Sequence, residues 1–198
     1  MKHAIFSDVQ GNYPALRSFF EQTNKSVDGY ICLGDIVQHG TSFDDNRCIE
    51  LIKNNNCVAV RGNHEDYVIG RNKPLGKIFP ENMEFIASLP LRRSIDDYHL
   101  VHAPSGQRVV TVEQARKEFS KLPEDIKICF FGHSHKQTIF SRDKKGKVGE
   151  EELGRGIILL RPDTKYLINP GGVGLYYGLP QTYMILDEKS LQLEFINL

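Results

Sequence analysis

Six short polar strings break an otherwise apolar pattern in this chain. They are Ser7-Asp8, Gly34-Asp35, Gly62-Asn63-His64, His102, Gly132-His133-Ser134-His135 and Asn169-Pro170-Gly171. Each follows a short apolar run, and most place an Asp, Asn or His beside a glycine. One polar residue at a strand end is ordinary turn chemistry. Six of one kind point to a shared site, because ligand sites in open α/β sheets lie outside the carboxyl ends of strands. Hard oxygen donors mixed with imidazoles suit Mn²⁺, Fe or Zn²⁺, and Mg²⁺ to a lesser degree. The donors outnumber what one tetrahedral ion takes, so two divalent ions are expected, with Mn²⁺ the leading choice and Fe, Zn, Ni or Mg as alternatives. Two ions about 3.5–4 Å apart are an arrangement that cleaves phosphate esters. Asp35 is the carboxylate chosen to bridge them. Glycines at 34, 62 and 132 let the backbone turn sharply so that the next side chain faces the ions.

The elements that must position these residues alternate. Strands are expected at His3–Phe6, Tyr30–Leu33, Cys57–Val60, Tyr98–Val101, Ile126–Phe131 and Tyr166–Ile168. Helices are expected at 14–23, where Leu16, Phe19 and Phe20 share a face and Pro14 sits in the first turn. Further helices are expected at 43–53 and 81–89. Another is expected at 112–122, with Thr111 and Gln114 at capping-box spacing. Thr182–Leu186 and Leu191–Ile196 flank Asp187-Glu188-Lys189-Ser190 and read as a hairpin. The charged stretch 142–155 reads as a solvated loop or hairpin tip. This alternation predicts an α/β layered fold with a mixed sheet. No repeat or linker divides the chain, so residues 1–198 are expected to form one domain.

The 198 residues carry 25 Lys+Arg and 25 Asp+Glu, so the formal net charge is zero and a broad nucleic-acid or membrane surface is not expected. No apolar run reaches the ~20 residues of a membrane span. The N-terminal apolar stretch is too short for a signal peptide. The four cysteines form no C-x-x-C pair and fall in apolar or helical patterns. They read as buried free thiols, which favours a reducing, cytoplasmic setting.

Taken in order, Ser-Asp-x-x-Gly-Asn at 7–12, Gly-Asp-x-Val at 34–37, Gly-Asn-His-Glu at 62–65, His102, Gly-His-Ser-His at 132–135 and Asn-Pro-Gly-Gly-Val-Gly at 169–174 resemble the calcineurin-like metallophosphoesterase superfamily. The resemblance runs from residue 1 to about 174, and its strength lies in the order of the motifs rather than in any one of them. It implies a β-sandwich of mixed sheets flanked by helices. It implies that Asp8 and His135 hold a first metal, that Asp35 bridges, and that Asn63, His102 and His133 hold a second. It implies metal-bound hydroxide as nucleophile, with His64 not a ligand but the general acid beside the phosphate.

The chain departs from the family in two places. At position 10 the family's ligand histidine is replaced by Gln10. Its amide is a harder and weaker donor, and it either coordinates loosely or only hydrogen-bonds the loop. At 38–39 the Asp-Arg of protein phosphatases is replaced by Gln38-His39, which weighs against that activity. His39 is a candidate for substrate contact. Asn12 belongs either to the site rim or to the cap of the first helix. The turn 169–174 either cradles phosphate with its N–H groups or is purely structural. Tyr176 and Tyr177 either stack a base or pack without a ligand. His3 and His99 read as structural. The substrate is expected to be a small phosphate ester or a nucleotide. Alternatives are a diadenosine-tetraphosphatase, a protein-phosphatase-like hydrolase, or a non-catalytic scaffold of the same fold.

Overall fold

The computed structural model describes residues 1–70, 77–154 and 156–198, apart from the Phe43 side chain. Two six-stranded mixed sheets face each other with helices on both outer faces, as the resemblance implied. In chain order the first sheet contains β1 (Lys2–Phe6), β2 (Gly29–Cys32), β3 (Val58–Ala59), β9 (Ile157–Leu159), β11 (Thr182–Asp187) and β12 (Gln192–Asn197). The second contains β4 (Arg92–Ile95), β5 (Tyr98–Val101), β6 (Ile128–Phe131), β7 (Gln137–Arg142), β8 (Val148–Glu150) and β10 (Lys165–Pro170). The spatial orders are β3-β2-β1-β11-β12-β9 and β4-β5-β6-β10-β7-β8. Within them β1, β2 and β3 run parallel, as do β5, β6 and β10. Both parallel trios therefore end their strands at one edge.

Strand periodicity sorts the core into layers. In β6, Ile128 and Phe130 point between the sheets, while Cys129 and Phe131 point to the outer face. In β1, Ile5 points between the sheets, and Ala4 and Phe6 face the helices. Helices α1 (Tyr13–Thr23), α2 (Phe43–Asn54) and α4 (Pro80–Ser88) cover the first sheet. Helix α5 (Val112–Phe119) covers the second through Ala115 and Phe119. The short α3 (Asn63–Ile69) begins inside one of the polar strings.

Local signals explain the boundaries. Asn12 caps α1 by accepting from Ala15 N–H, and Pro14 lies in the first turn. Thr111 and Gln114 form the expected capping box of α5. That helix stops at Phe119 instead of 122, with Ser120 as its C-cap. The last strand starts at Gln192, because Leu191 takes a left-handed φ of 53° to close the hairpin. In the charged stretch 142–155, β7 and β8 form a hairpin whose tip is knotted by Asp143, which accepts from Lys145 and Lys147 N–H. Arg155 lies outside the described residues. Five elements carry no clear mark in sequence: α3, β4, β7, β8 and β9. Most are three or four residues long or lie at sheet edges, too short for a period to register.

All four cysteines are free, and Cys32, Cys48 and Cys129 are buried. Burial pushes the Cys129 thiol up to about 12. His99 contacts Ser94 Oγ at 3.0 Å and His3 lies 3.2 Å from Glu188, so both serve the fold. No helix is long and apolar enough to cross a membrane among the described residues.

Phe19 is fully buried and packs against the rings of Phe6, Phe20, Tyr30 and Tyr183. Phe19→Ala is expected to cost about 3–5 kcal/mol, read from chemical denaturation midpoints at unchanged slope.

Candidate metal centre

The parallel strands end together, and their loops are stitched to one another. Asp8 N–H donates to Gly34 O at 3.0 Å, Gln10 N–H to Asp35 O at 2.9 Å, and Gly132 N–H to His102 O at 2.9 Å. This lattice holds the site in strained backbone. Asp8, Gln10, Asp35, His39, His133 and His135 all have φ between 49° and 68°. Side chains rarely adopt that region, and each such residue costs ~1–3 kcal/mol. Of these six, residue type at strand ends marks Asp8, Asp35, His133 and His135 in the sequence, while Gln10 and His39 stand out only against the family pattern.

Glu65 is the fastener. Its fully buried carboxylate accepts from Asp35 N–H (2.9 Å), Val37 N–H (3.0 Å) and Gly62 N–H (2.8 Å). Burial and the Asp35 charge push its carboxyl up, against the N–H donors that favour the ionised form. Glu65 thus ties the β2 loop to the start of α3. The two loops meet closely: Gly34 has φ 93°, and a Cβ there would lie 2.7 Å from Gly62 N. A Cβ on Gly62 would strike the Asp35 carboxylate. Only glycine serves at either position.

The functional side chains converge at this edge. His102 is buried, and its Nδ1–H donates to Leu33 O at 2.8 Å, which turns Nε2 toward the cluster. There Nε2 meets Asn63 Oδ1 at 3.1 Å, Asp35 Oδ2 at 3.2 Å and Asp8 Oδ1 at 4.0 Å. Ligand atoms of Asp35, His102 and His133 lie within 4.8 Å of one another. On the neighbouring side His135 Nε2 lies 3.4 Å from Asp8 Oδ1, and the Gln10 amide nitrogen lies 3.1 Å from that same ring atom. Asp8 also accepts from His133 N–H.

The chemistry of this donor set is a test of fit. A neutral His102 presents a lone pair to an amide oxygen and a carboxylate oxygen, so acceptors face acceptors. Such a cluster needs a proton or a cation at its centre. Burial disfavours a charged His102, yet the Asp35 hydrogen bond and the Asp8 and Asp35 charges prevail and lift it to about 9. Burial likewise works against an ionised Asp35, but His102 and His64 hold its carboxyl below the ordinary range. Burial lowers both His133 and His135, which keeps their lone pairs available. Asp35, His102 and His133 bring their ligand atoms together and fit a divalent cation, with Asn63 beside them and Asp8, His135 and Gln10 on the neighbouring side.

The other candidates divide: His64 and His39 lie beside this centre, while Asn12 and Asn169 do not. His64 Nδ1–H donates to Val37 O at 3.0 Å, its Nε2 lies 3.7 Å from Asp35 Oδ2, and its backbone N–H donates to Asp35 Oδ1. His39 stacks on His64 with centroids 4.0 Å apart, which brings it beside the cluster. Asn12 resolves toward the helix cap. Asn169 does not reach the cluster. Its amide donates to Gly132 O and Ser134 Oγ and its oxygen accepts from Gly171 N–H, while Val173 and Gly174 N–H brace Ser7 O and Asp8 O. Those N–H groups are occupied by protein, so the turn is a strut beneath Asp8 and His133. Sequence reasoning left Glu65 and Arg108 without a role. Glu65 carried a signal as the last residue of Gly-Asn-His-Glu. Arg108 carried none, and its charge acts on both His133 and His135.

Comparison with known proteins bears on the family and the fold. The sequence profile of the calcineurin-like phosphoesterase superfamily domain matches residues 1–191. An uncharacterised protein of Methanocaldococcus jannaschii is 31% identical, covering 98% of this chain and 86% of that one. Among solved structures, a metallophosphoesterase from Sphaerobacter thermophilus superposes with a TM-score of 0.85 at 26% identity, covering 100% of this chain and 88% of that one. An archaeal phosphodiesterase shares the fold with a TM-score of 0.57 at 22% identity, each chain fully covered.

Two outcomes are expected. Glu65→Gln sets an amide NH₂ against one of three N–H groups and should cost about 1–3 kcal/mol in chemical denaturation. It should also weaken Mn²⁺ binding about 10- to 100-fold, as loss of an orienting partner does. Second, a cation must displace the His102 proton. Mn²⁺ titrations at pH 7.5 in buffers of different ionisation enthalpy should therefore report proton release, and affinity should climb with pH until about 9. In the metal-free protein the sign is opposite. His102 contributes stability that is complete below its ordinary 6.5 and is lost as pH rises through about 9.

Proposed function

The chain belongs to the calcineurin-like phosphoesterase superfamily, and from that premise we propose that it hydrolyses phosphate esters with two divalent ions, Mn²⁺ first among them. The observation that carries this reading is the meeting of His102 Nε2, Asn63 Oδ1 and Asp35 Oδ2 at a point that needs a proton or a cation to hold it together. In this reading Asn63, His102 and His133 would hold one ion and Asp8, Gln10 and His135 the other, with Asp35 as the carboxylate that would be shared; Asp8 Oδ1 and Asp35 Oδ2 both lie within 4.0 Å of His102 Nε2, which supports adjoining sites. When bound, such ions offset phosphoryl charge and make water acidic enough to serve as nucleophile near neutral pH.

The chain's own residues supply the rest. Val37 O fixes the His64 ring through Nδ1–H, so in the imidazolium form Nε2–H is the group that gives its proton to the leaving oxygen and leaves a neutral ring. The His39 ring lies flat against His64 and limits its swing. Asp35 accepts the His64 backbone N–H and so couples the acid to the bridging carboxylate. Arg108 adds positive charge near His133 and His135, where incoming phosphate oxygens need it. Gln38 and His39 stand where protein phosphatases carry Asp-Arg, which supports a small ester or nucleotide as substrate. The four free cysteines support a reducing, cytoplasmic setting.

The test is hydrolysis of p-nitrophenyl phosphate and bis-p-nitrophenyl phosphate with Mn²⁺, Mg²⁺, Ni²⁺ or chelator. Metal-dependent turnover is expected. His64→Ala should lower it about 10²- to 10⁴-fold, and Asp35→Asn should reduce it to the chelated background. No turnover with any metal would favour a scaffold, and turnover surviving Asp35→Asn would refute the bridged pair.

A further inference from the structure

Resting on the phosphoesterase reading, we infer that the cleft beside Gln10 holds a nucleobase, which makes the substrate a nucleotide ester and its other arm a separate group. The cleft has a volume of about 600 Å³ and is lined by Gln10, Gln38, Leu175, Tyr176 and Tyr177. That is the size range of small-molecule sites.

It is continuous with the metal centre. The Tyr176 ring stacks on His135 with centroids 4.3 Å apart and planes at 23°. Arg108 lies over the Tyr176 ring at 5.6 Å. A planar group in the cleft therefore sits one ring away from the cluster, with a cation beside it for a phosphate or ribose oxygen.

The loop is built to hold aromatic surface out in water. Leu179 N–H donates to Tyr176 O at 3.1 Å, and Gly178 has φ +74°. A four-residue turn with positive φ at its third position needs glycine there and projects its second residue outward. That second residue is Tyr177, which is 99% exposed, and Leu175 before the turn is 74% exposed. A large ring left wholly in water next to an exposed Leu is surface in want of a flat partner. Gln38 supplies an amide that makes no hydrogen bond among the described residues. Amides of this kind read the donor and acceptor edges of a base.

A second cleft of about 220 Å³ opens against Asn63, His102 and His133 and is lined by Arg61 and Arg92. It shares no residue with the first. Phosphate at the cluster thus has an aromatic arm on one side and, on the other, an arm that carries Arg92 and the Arg61–Asp66 pair.

The test is binding of AMP, ribose 5-phosphate and inorganic phosphate to the Mg²⁺-loaded full chain by calorimetry, for wild type, Tyr177→Ala and Tyr177→Phe. Base stacking on an aromatic residue is worth about 5- to 150-fold in affinity. AMP should bind tighter than ribose 5-phosphate by a factor in that range. Tyr177→Ala should collapse the ratio toward one, and Tyr177→Phe should keep it. Equal affinities in wild type, no binding of either, or a ratio unmoved by Tyr177→Ala would each overturn the assignment. Ester hydrolysis without an AMP preference would sink the cleft while sparing the phosphoesterase reading. An AMP preference without any hydrolysis would do the reverse.

Discussion

The site depends on one buried carboxylate that touches no substrate. Glu65 gathers the N–H groups of Asp35, Val37 and Gly62. Those three belong to the ends of two neighbouring strands, β2 and β3, that would otherwise part into separate loops. Each N–H is buried and would cost ~1–3 kcal/mol if left without a partner. The cost of burying the charge is met by three short hydrogen bonds, and the return is position. Asp35 is set in a left-handed conformation, its Oδ1 takes the His64 N–H, and its Oδ2 faces His102.

The same division of labour recurs on the other sheet. Asn169 binds Gly132 O and Ser134 Oγ and braces the turn that carries His133 and His135. The turn after it then pins Ser7 O and Asp8 O. Asp8, Asp35, His133 and His135 face the cluster from left-handed backbone, and residues behind them supply the hydrogen bonds that hold the strain. Such preorganisation matters most for a cluster of acceptors. Several lone pairs and carboxylates aimed at one point repel each other until a cation arrives, so only a stiff frame keeps them there. The elevated His102 is the electrical sign of that tension.

Charge is arranged locally in a chain that is neutral as a whole. Asp8 and Asp35 are buried at the centre, while Arg108, Arg61 and Arg92 stand around its mouths. A neutral exterior gives no general pull on polyanions, so recognition has to come from the clefts themselves.

Much of this was legible in the residues. Strand ends carrying Asp8, Asp35, Asn63, His102, His133 and His135 announce a shared edge, because donor type and glycine neighbours are local properties. Long helices and buried strands announce themselves by period, as α1 and β6 do. Boundaries at Phe119 and Leu191 and the brief α3 escaped, since no residue type marks the Ser120 cap or the left-handed turn at Leu191. The sequence alone therefore determined which family the chain belongs to, which donor residues it carries and which architecture holds them. Tertiary structure alone decided that Glu65 fastens the site, that Asn169 braces it, that Asn12 serves the helix, and that Tyr176 stacks on His135. The reason is physical: a residue's donors and acceptors are written in its type, but their partners are chosen by packing between segments as far apart as positions 10 and 135.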